Sequence, residues 1–104
     1  RQNWTDLVKL WTRESSWLWY AENASSGAYG IPQSLPGSKM AAFGANWRDD
    51  AAVQIDWGLS YIAQRYGSPS KAWEHSEQVD GIKQRRSQQY ANATAHTFSY
   101  QLNG

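Results

Sequence analysis

The sequence predicts a mainly helical single domain interrupted by a long loop rich in Gly and Pro. Three observations carry that expectation. Apolar residues recur at helical spacing in two separate stretches, near residues 4–11 and 52–66. Between them, Gly27, Gly30, Pro32, Pro36, Gly37 and Gly44 break any long element. The chain of 104 residues suits one domain with one modest core.

In the first helix, Trp4, Leu7, Val8 and Trp11 follow i, i+3, i+4, i+7. Asn3 or Thr5 is the expected cap, with Asp6 in the first turn, and the helix ends near Ser16. Glu14, three residues past Trp11, falls on the same stripe. Residues 20–48 read as loop, with Tyr29 and Ile31 in at most a short extended piece. A loop this long in a small domain is usually functional or disordered. Tyr29, Ile31, Leu35, Met40, Phe43 and Trp47 need burial and argue for order.

The second helix follows Ala52, Ile55, Leu59, Ile62 and Tyr66. Asp49 and Asp50 suit its start, Gly67 its C′ position and Pro69 its end. Gly58 costs a helix roughly 1 kcal/mol relative to Ala. It reads as close packing against the first helix or, alternatively, as room for a ligand. A short helix is expected over Lys71 to Ser76. Glu77 to Ala93 has helical composition with a thin stripe of Val79, Ile82 and Tyr90, and Lys83, Arg85 and Arg86 read as a solvated basic face. Thr97 to Leu102 alternates as a strand or a docked tail does. The division expected is a core over 1–76 and an atypical, helical extension over 77–104 packed on the same domain.

A net charge of +1 gives no electrostatic case for nucleic acid or an anionic membrane. No apolar run approaches the ~20 residues of a membrane span. The absence of Cys excludes disulfides, thiolate metal sites and Cys nucleophiles. His75 and His96 lack the spacing of a metal pair, no Ser sits in a G-x-S-x-G elbow, and the Gly pattern is not a phosphate loop. No metal or organic cofactor is implied. The chain starts at Arg1 without a leader-like stretch and reads as a mature or excised domain. Seven Trp and six Tyr exceed what a small core uses, so several are expected to line a cleft.

Glu14 is the candidate for chemistry. Burial beside Trp11, Trp17 and Trp19 would disfavour its charged form, and a carboxylic acid kept protonated can donate to a leaving oxygen, as in glycoside cleavage. The plainer alternative is a helix-end Glu pairing with Arg13 or Lys9. A two-carboxylate glycosidase needs a second acid. Nothing in the sequence selects one from Glu22, Asp49, Asp50, Asp56, Glu74 and Asp80.

Arg13-Glu14-Ser15-Ser16-Trp17, the run NASSGAYGIPQSLPGSKM over 23–40 and WGLSYIAQRYGSPSKAWEHS over 57–76 form three ordered blocks. Over about residues 4–76 they resemble the transglycosylase SLT domain, a group similar to goose-type lysozymes, in the GAYGIPQ form common in actinobacterial secreted proteins. The resemblance implies a lysozyme-like fold around a substrate cleft, a monomer, and a secreted or cell-wall location. It implies peptidoglycan glycan strands as partner, cut between N-acetylmuramic acid and N-acetylglucosamine. Glu14 matches the family's acid and Gln33 its cleft-lining Gln. Ser15 and Tyr29 fall within the matched motifs as substrate-side residues. Trp73 or His75 stands where other branches place a Tyr near the acid. A lytic transglycosylase uses one Glu as acid and then base and forms a 1,6-anhydro product, so it needs no second carboxylate.

The departures are equally specific. Leu18-Trp19-Tyr20 replaces the usual Asn and then Pro or Tyr, giving either a sugar platform or extra packing. The Cys pair common in the subgroup, near Asp6 and at Ser70, is absent; such a staple contributes roughly 4 kcal/mol in the chain-entropy account. The tail from about Glu77 does not match. A hydrolysing muramidase with the same acid, a non-catalytic glycan-binding module and an inactive scaffold are the competing readings.

Overall fold

The computed structural model describes residues 1–79. The expectations placed on residues 80–104 lie outside the described residues. The fold is mainly helical, with no strand among the described residues. The chain divides into two units, Arg1–Trp73 and Glu74–Gly104. Helix α1 spans Gln2–Ser15, a 3-10 helix spans Gly37–Phe43, α2 spans Ala51–Arg65, and residues 69–79 are helical.

α1 starts earlier than expected, its cap lying two residues before Asn3 and four before Thr5. Arg1 is its N-cap without a side-chain hydrogen bond. Asn3 instead turns its Oδ1 to accept from the Ser70 backbone N–H at 3.2 Å. The buried face is Asp6, Leu7, Leu10, Trp11 and Ser15. Trp4 is 62% exposed and Val8 half-buried, so the stripe is rotated from the one the apolar residues alone suggested. The helix stops as expected: Ser16 and Trp17 take φ of 55° and 61°, left-handed values that cost a non-Gly residue roughly 1–2 kcal/mol each. The Ser16 N–H closes on the Thr12 carbonyl.

α2 begins where its sequence says. The Asp50 carboxylate accepts from the Ala52 and Val53 N–H groups, two donors with no partner inside the helix. Gly67 follows the C-cap at φ 94°, with its N–H on the Ile62 carbonyl. Pro69 does not merely end α2; it opens the next helical stretch at a position where a missing N–H costs nothing. Ser68 caps that stretch, its hydroxyl accepting from the Lys71 N–H at 3.2 Å.

The buried face of α2 differs from its apolar stripe. Gln54, Gly58 and Ile62 are buried, while Leu59 is 41% exposed and Ala52 is exposed. The core cluster is Leu7, Leu10, Trp11, Ile31, Ile62 and Ala72, with Trp17, Ile55, Tyr66 and Trp73 packed against it. Gly58 lets the helices meet there. A Cβ at this position would stand 2.5 Å from the Trp11 ring and 3.0 Å from Pro32. Of its two readings, close packing holds.

The region 20–48 is ordered by its own contacts. Tyr29 forms isolated bridges to Glu22 and Ser34, and the 3-10 helix packs on α2. Tyr29, Ile31 and Met40 are buried as expected, but Leu35 and Phe43 are exposed.

Candidate functional site

The end of α1 is fastened to the loop. The Ser15 hydroxyl is buried and donates to the Ile31 carbonyl at 2.7 Å, with the Trp11 carbonyl at 3.3 Å. Ser15 therefore acts inside the fold rather than at its surface. The Ile31 N–H in turn donates to Gln54 Oε1 at 2.9 Å. Gln54 Nε2 donates to the Trp19 carbonyl at 3.1 Å and the Trp47 carbonyl at 2.9 Å. One fully buried amide from α2 thus ties the chain leaving α1, the centre of the loop and the chain entering α2. Gly30 makes room for it: φ is 80°, and a Cβ would stand 2.6 Å from Gln54 Oε1.

Gln54 was not singled out by the sequence, because apolar periodicity passes over a polar residue. The available signal was the row Gln54, Gly58, Ile62, spaced i, i+4, i+8 on the face where Gly58 required a close neighbour.

Glu14 occupies the register of Leu7 and Trp11, two turns and one turn away, yet its side chain is exposed. The sequence suggested desolvation by surrounding rings, and the fold does not supply it: in α1's last turn Ser15 faces inward and Glu14 outward. Trp11 and Trp17 instead pack edge to face at 5.3 Å, and Trp17 meets Trp4 at 6.3 Å. Trp19 pairs with Tyr20 at 5.2 Å, and both rings and Leu18 are exposed.

Gln33 is half-buried at φ 56°. Its Nε2 donates to the Ala21 carbonyl at 3.1 Å and the Gly30 carbonyl at 2.9 Å. Two carbonyl neighbours fix the amide's orientation, and its Oε1 accepts no hydrogen bond from the described residues. Tyr29 is buried, with its hydroxyl donating to the Arg48 carbonyl at 2.9 Å. Trp73 is half-buried beneath the Arg13 guanidinium, 4.4 Å from its ring centroid. His75 is exposed on the helical stretch 69–79. The structure therefore links Ser15, Tyr29 and Gln33 through one loop, and it uses the polar groups of Ser15 and Tyr29 internally.

Ser70, where the resemblance implies one Cys, lies beside Asp6, near which it implies the other. Asp6 is buried, accepts from Gln2 Nε2 at 3.0 Å and has Lys9 Nζ at 4.0 Å. The Ser70 hydroxyl faces it and, ahead of Gln2 and Lys9, holds its carboxyl below the usual carboxylate range against the opposing effect of burial. The geometry of that approach falls short of a regular hydrogen bond, which leaves Ser70 Oγ buried without a full partner.

Among the described residues no three His, Asp or Glu side chains gather as a metal site, and no helix is long and apolar enough to cross a membrane. Comparison with protein-family models, with curated proteins and with solved structures found no match for the chain.

Proposed function

We propose that the chain cleaves peptidoglycan glycan strands between N-acetylmuramic acid and N-acetylglucosamine, as a lytic transglycosylase with Glu14 as acid and then base. The observation that carries this reading is the combination at the end of α1. Glu14 is aligned with the core face but exposed, and the next residue is latched to the loop that holds Gln33. A carboxyl that must reach a polymer has to be exposed before binding, and its backbone has to be fixed.

In the proposed reaction a lysozyme-like cleft lies over this helix end and loop. Glu14 donates its proton to the glycosidic oxygen as the bond to the muramyl anomeric carbon breaks. The resulting carboxylate then takes the proton of the muramyl 6-hydroxyl as that oxygen attacks the anomeric carbon, closing the 1,6-anhydro ring and restoring the acid. A bound strand itself strips water from the carboxyl, the condition that favours its neutral form. Gln33 Oε1 offers an acceptor for a sugar N-acetyl N–H. Exposed Trp19 and Tyr20 offer rings to a sugar face. A cell-wall or secreted location goes with this substrate.

The test is mass spectrometry of the products from purified peptidoglycan, with Glu14→Gln alongside. Anhydro-muramyl ends from the parent chain alone are expected. Reducing muramyl ends would transfer the reading to a hydrolysing muramidase. Binding without products from either folded protein would leave a glycan-binding module and sink the catalytic assignment.

A further inference from the structure

Arg48 is held in a way that an ordinary surface arginine is not. Its guanidinium carbon lies 4.6 Å from the Tyr29 ring centroid and 5.3 Å from that of Trp47. Those two rings pack edge to face at 5.7 Å, and the Tyr29 hydroxyl donates to Arg48's own carbonyl. Backbone and head group are thus fixed by the same tyrosine. Gly37 closes the arrangement from below, since a Cβ there would stand 2.9 Å from Tyr29 Cβ and 3.1 Å from the Trp47 ring.

No carboxylate among the described residues pairs with the charge. Two aspartates follow directly, but Asp50 is engaged by the Ala52 and Val53 N–H groups and by Asn46. None of its N–H groups donates to a described residue. Stacking occupies the guanidinium's charge but not its donors, and the side chain is exposed. A planar fork already immobilised, with its donors unused, loses little entropy on meeting a carboxylate.

Its position is tied to the proposed site by a continuous set of hydrogen bonds. Ser15 bonds Ile31, Ile31 bonds Gln54, and Gln54 bonds the carbonyl of Trp47, next to Arg48. We infer that Arg48 is a carboxylate-binding site, built on Tyr29 and Trp47, that receives an acidic group of the peptide stem carried by the glycan strand. This deepens the proposed function and rests on it for the source of the carboxylate. It also gives Tyr29 a part at the substrate side, through the arginine it holds rather than by direct contact.

The experiment compares glycan strands bearing native stems with the same strands after their stem carboxylates are converted to amides. Both are prepared free of phosphate-bearing polymers. Binding is read from Trp fluorescence and cleavage from initial rates, for the parent chain, Arg48→Gln and Arg48→Lys. The native strands are expected to bind and to show a KM roughly fivefold to tenfold tighter than the amidated ones, at low salt. Arg48→Gln collapses that ratio toward one, and Arg48→Lys, which keeps the charge without the fork, retains only part of it. Equal behaviour of the two substrates in the parent chain, or a ratio that survives Arg48→Gln, overturns the site. Cleavage of both substrates without a preference would remove the carboxylate site and leave the catalytic reading standing. Arg48-dependent binding without any product would do the reverse.

Discussion

The two ends of α1 treat a carboxylate in opposite ways. At the N-terminal end Asp6 is buried, hydrogen-bonded by Gln2 and faced by Ser70. At the C-terminal end Glu14 is exposed while its neighbour Ser15 is buried and bonded to the loop. Burial draws the first into the packing of the fold, and exposure leaves the second within reach of solvent on a fastened backbone. The sequence suggested the opposite assignment, with Asp6 as a first-turn residue and Glu14 as the buried one.

The contrast is broken most severely at Glu14. Replacing it by Gln is expected to lower peptidoglycan turnover about 10³-fold while the chain stays folded. Product analysis and urea unfolding on the same preparation check both halves. A variant that unfolds instead would show Glu14 to be structural after all.

Next in size is Gln54→Leu, which leaves the Ile31 N–H and the carbonyls of Trp19 and Trp47 without their partner. The expected loss is about 3 kcal/mol in the urea midpoint analysis. Ser15→Ala removes a single bond to Ile31 and is expected to lose about 1 kcal/mol, with turnover falling too because Glu14 is no longer held. If its activity matched the parent's, fixing the end of α1 would not matter to the reaction.

The smallest effect belongs to Asp6 and is seen through pH. Its folded pKa lies below its ordinary value of 3.8. The unfolded chain therefore binds more protons in that window, so the stabilisation is complete above the ordinary value and is lost as pH falls through the folded one. Asp6→Asn is expected to flatten the acid limb of thermal stability against pH and to leave the neutral region's slope alone. An unchanged acid limb would mean that the Ser70 and Gln2 contacts contribute nothing.

Much of the frame was legible. The stop at Ser16, the Asp50 cap, Gly67 and the contact at Gly58 each follow from a local rule of backbone or packing, and the structure keeps all of them. What failed was the burial of particular side chains. Trp4, Leu59, Leu35 and Phe43 are apolar but exposed, and Gln54 and Asp6 are polar but buried. Periodicity tells which residues share a face; how far the core extends along that face is set by distant partners such as Ile31, Ala72 and the loop. Glu14 shows the distinction clearly, being correct in register and wrong in depth. At the candidate site the residue types were readable, but the internal use of the Ser15 and Tyr29 hydroxyls depends on chain segments sixteen and nineteen residues away.

The amide of Gln54 has a consequence for how the molecule opens. Ile31 lies in a segment with neither helix nor strand, where backbone protons ordinarily exchange with solvent through brief local excursions. Here its N–H is sealed against a side chain rooted in α2, and its carbonyl against one rooted in α1. Releasing it means pulling the loop off a fully buried amide, so its deuterium uptake should be far slower than that of the loop's exposed N–H groups. The loop is in that sense held from both sides, and whatever meets it meets a backbone already fixed in shape.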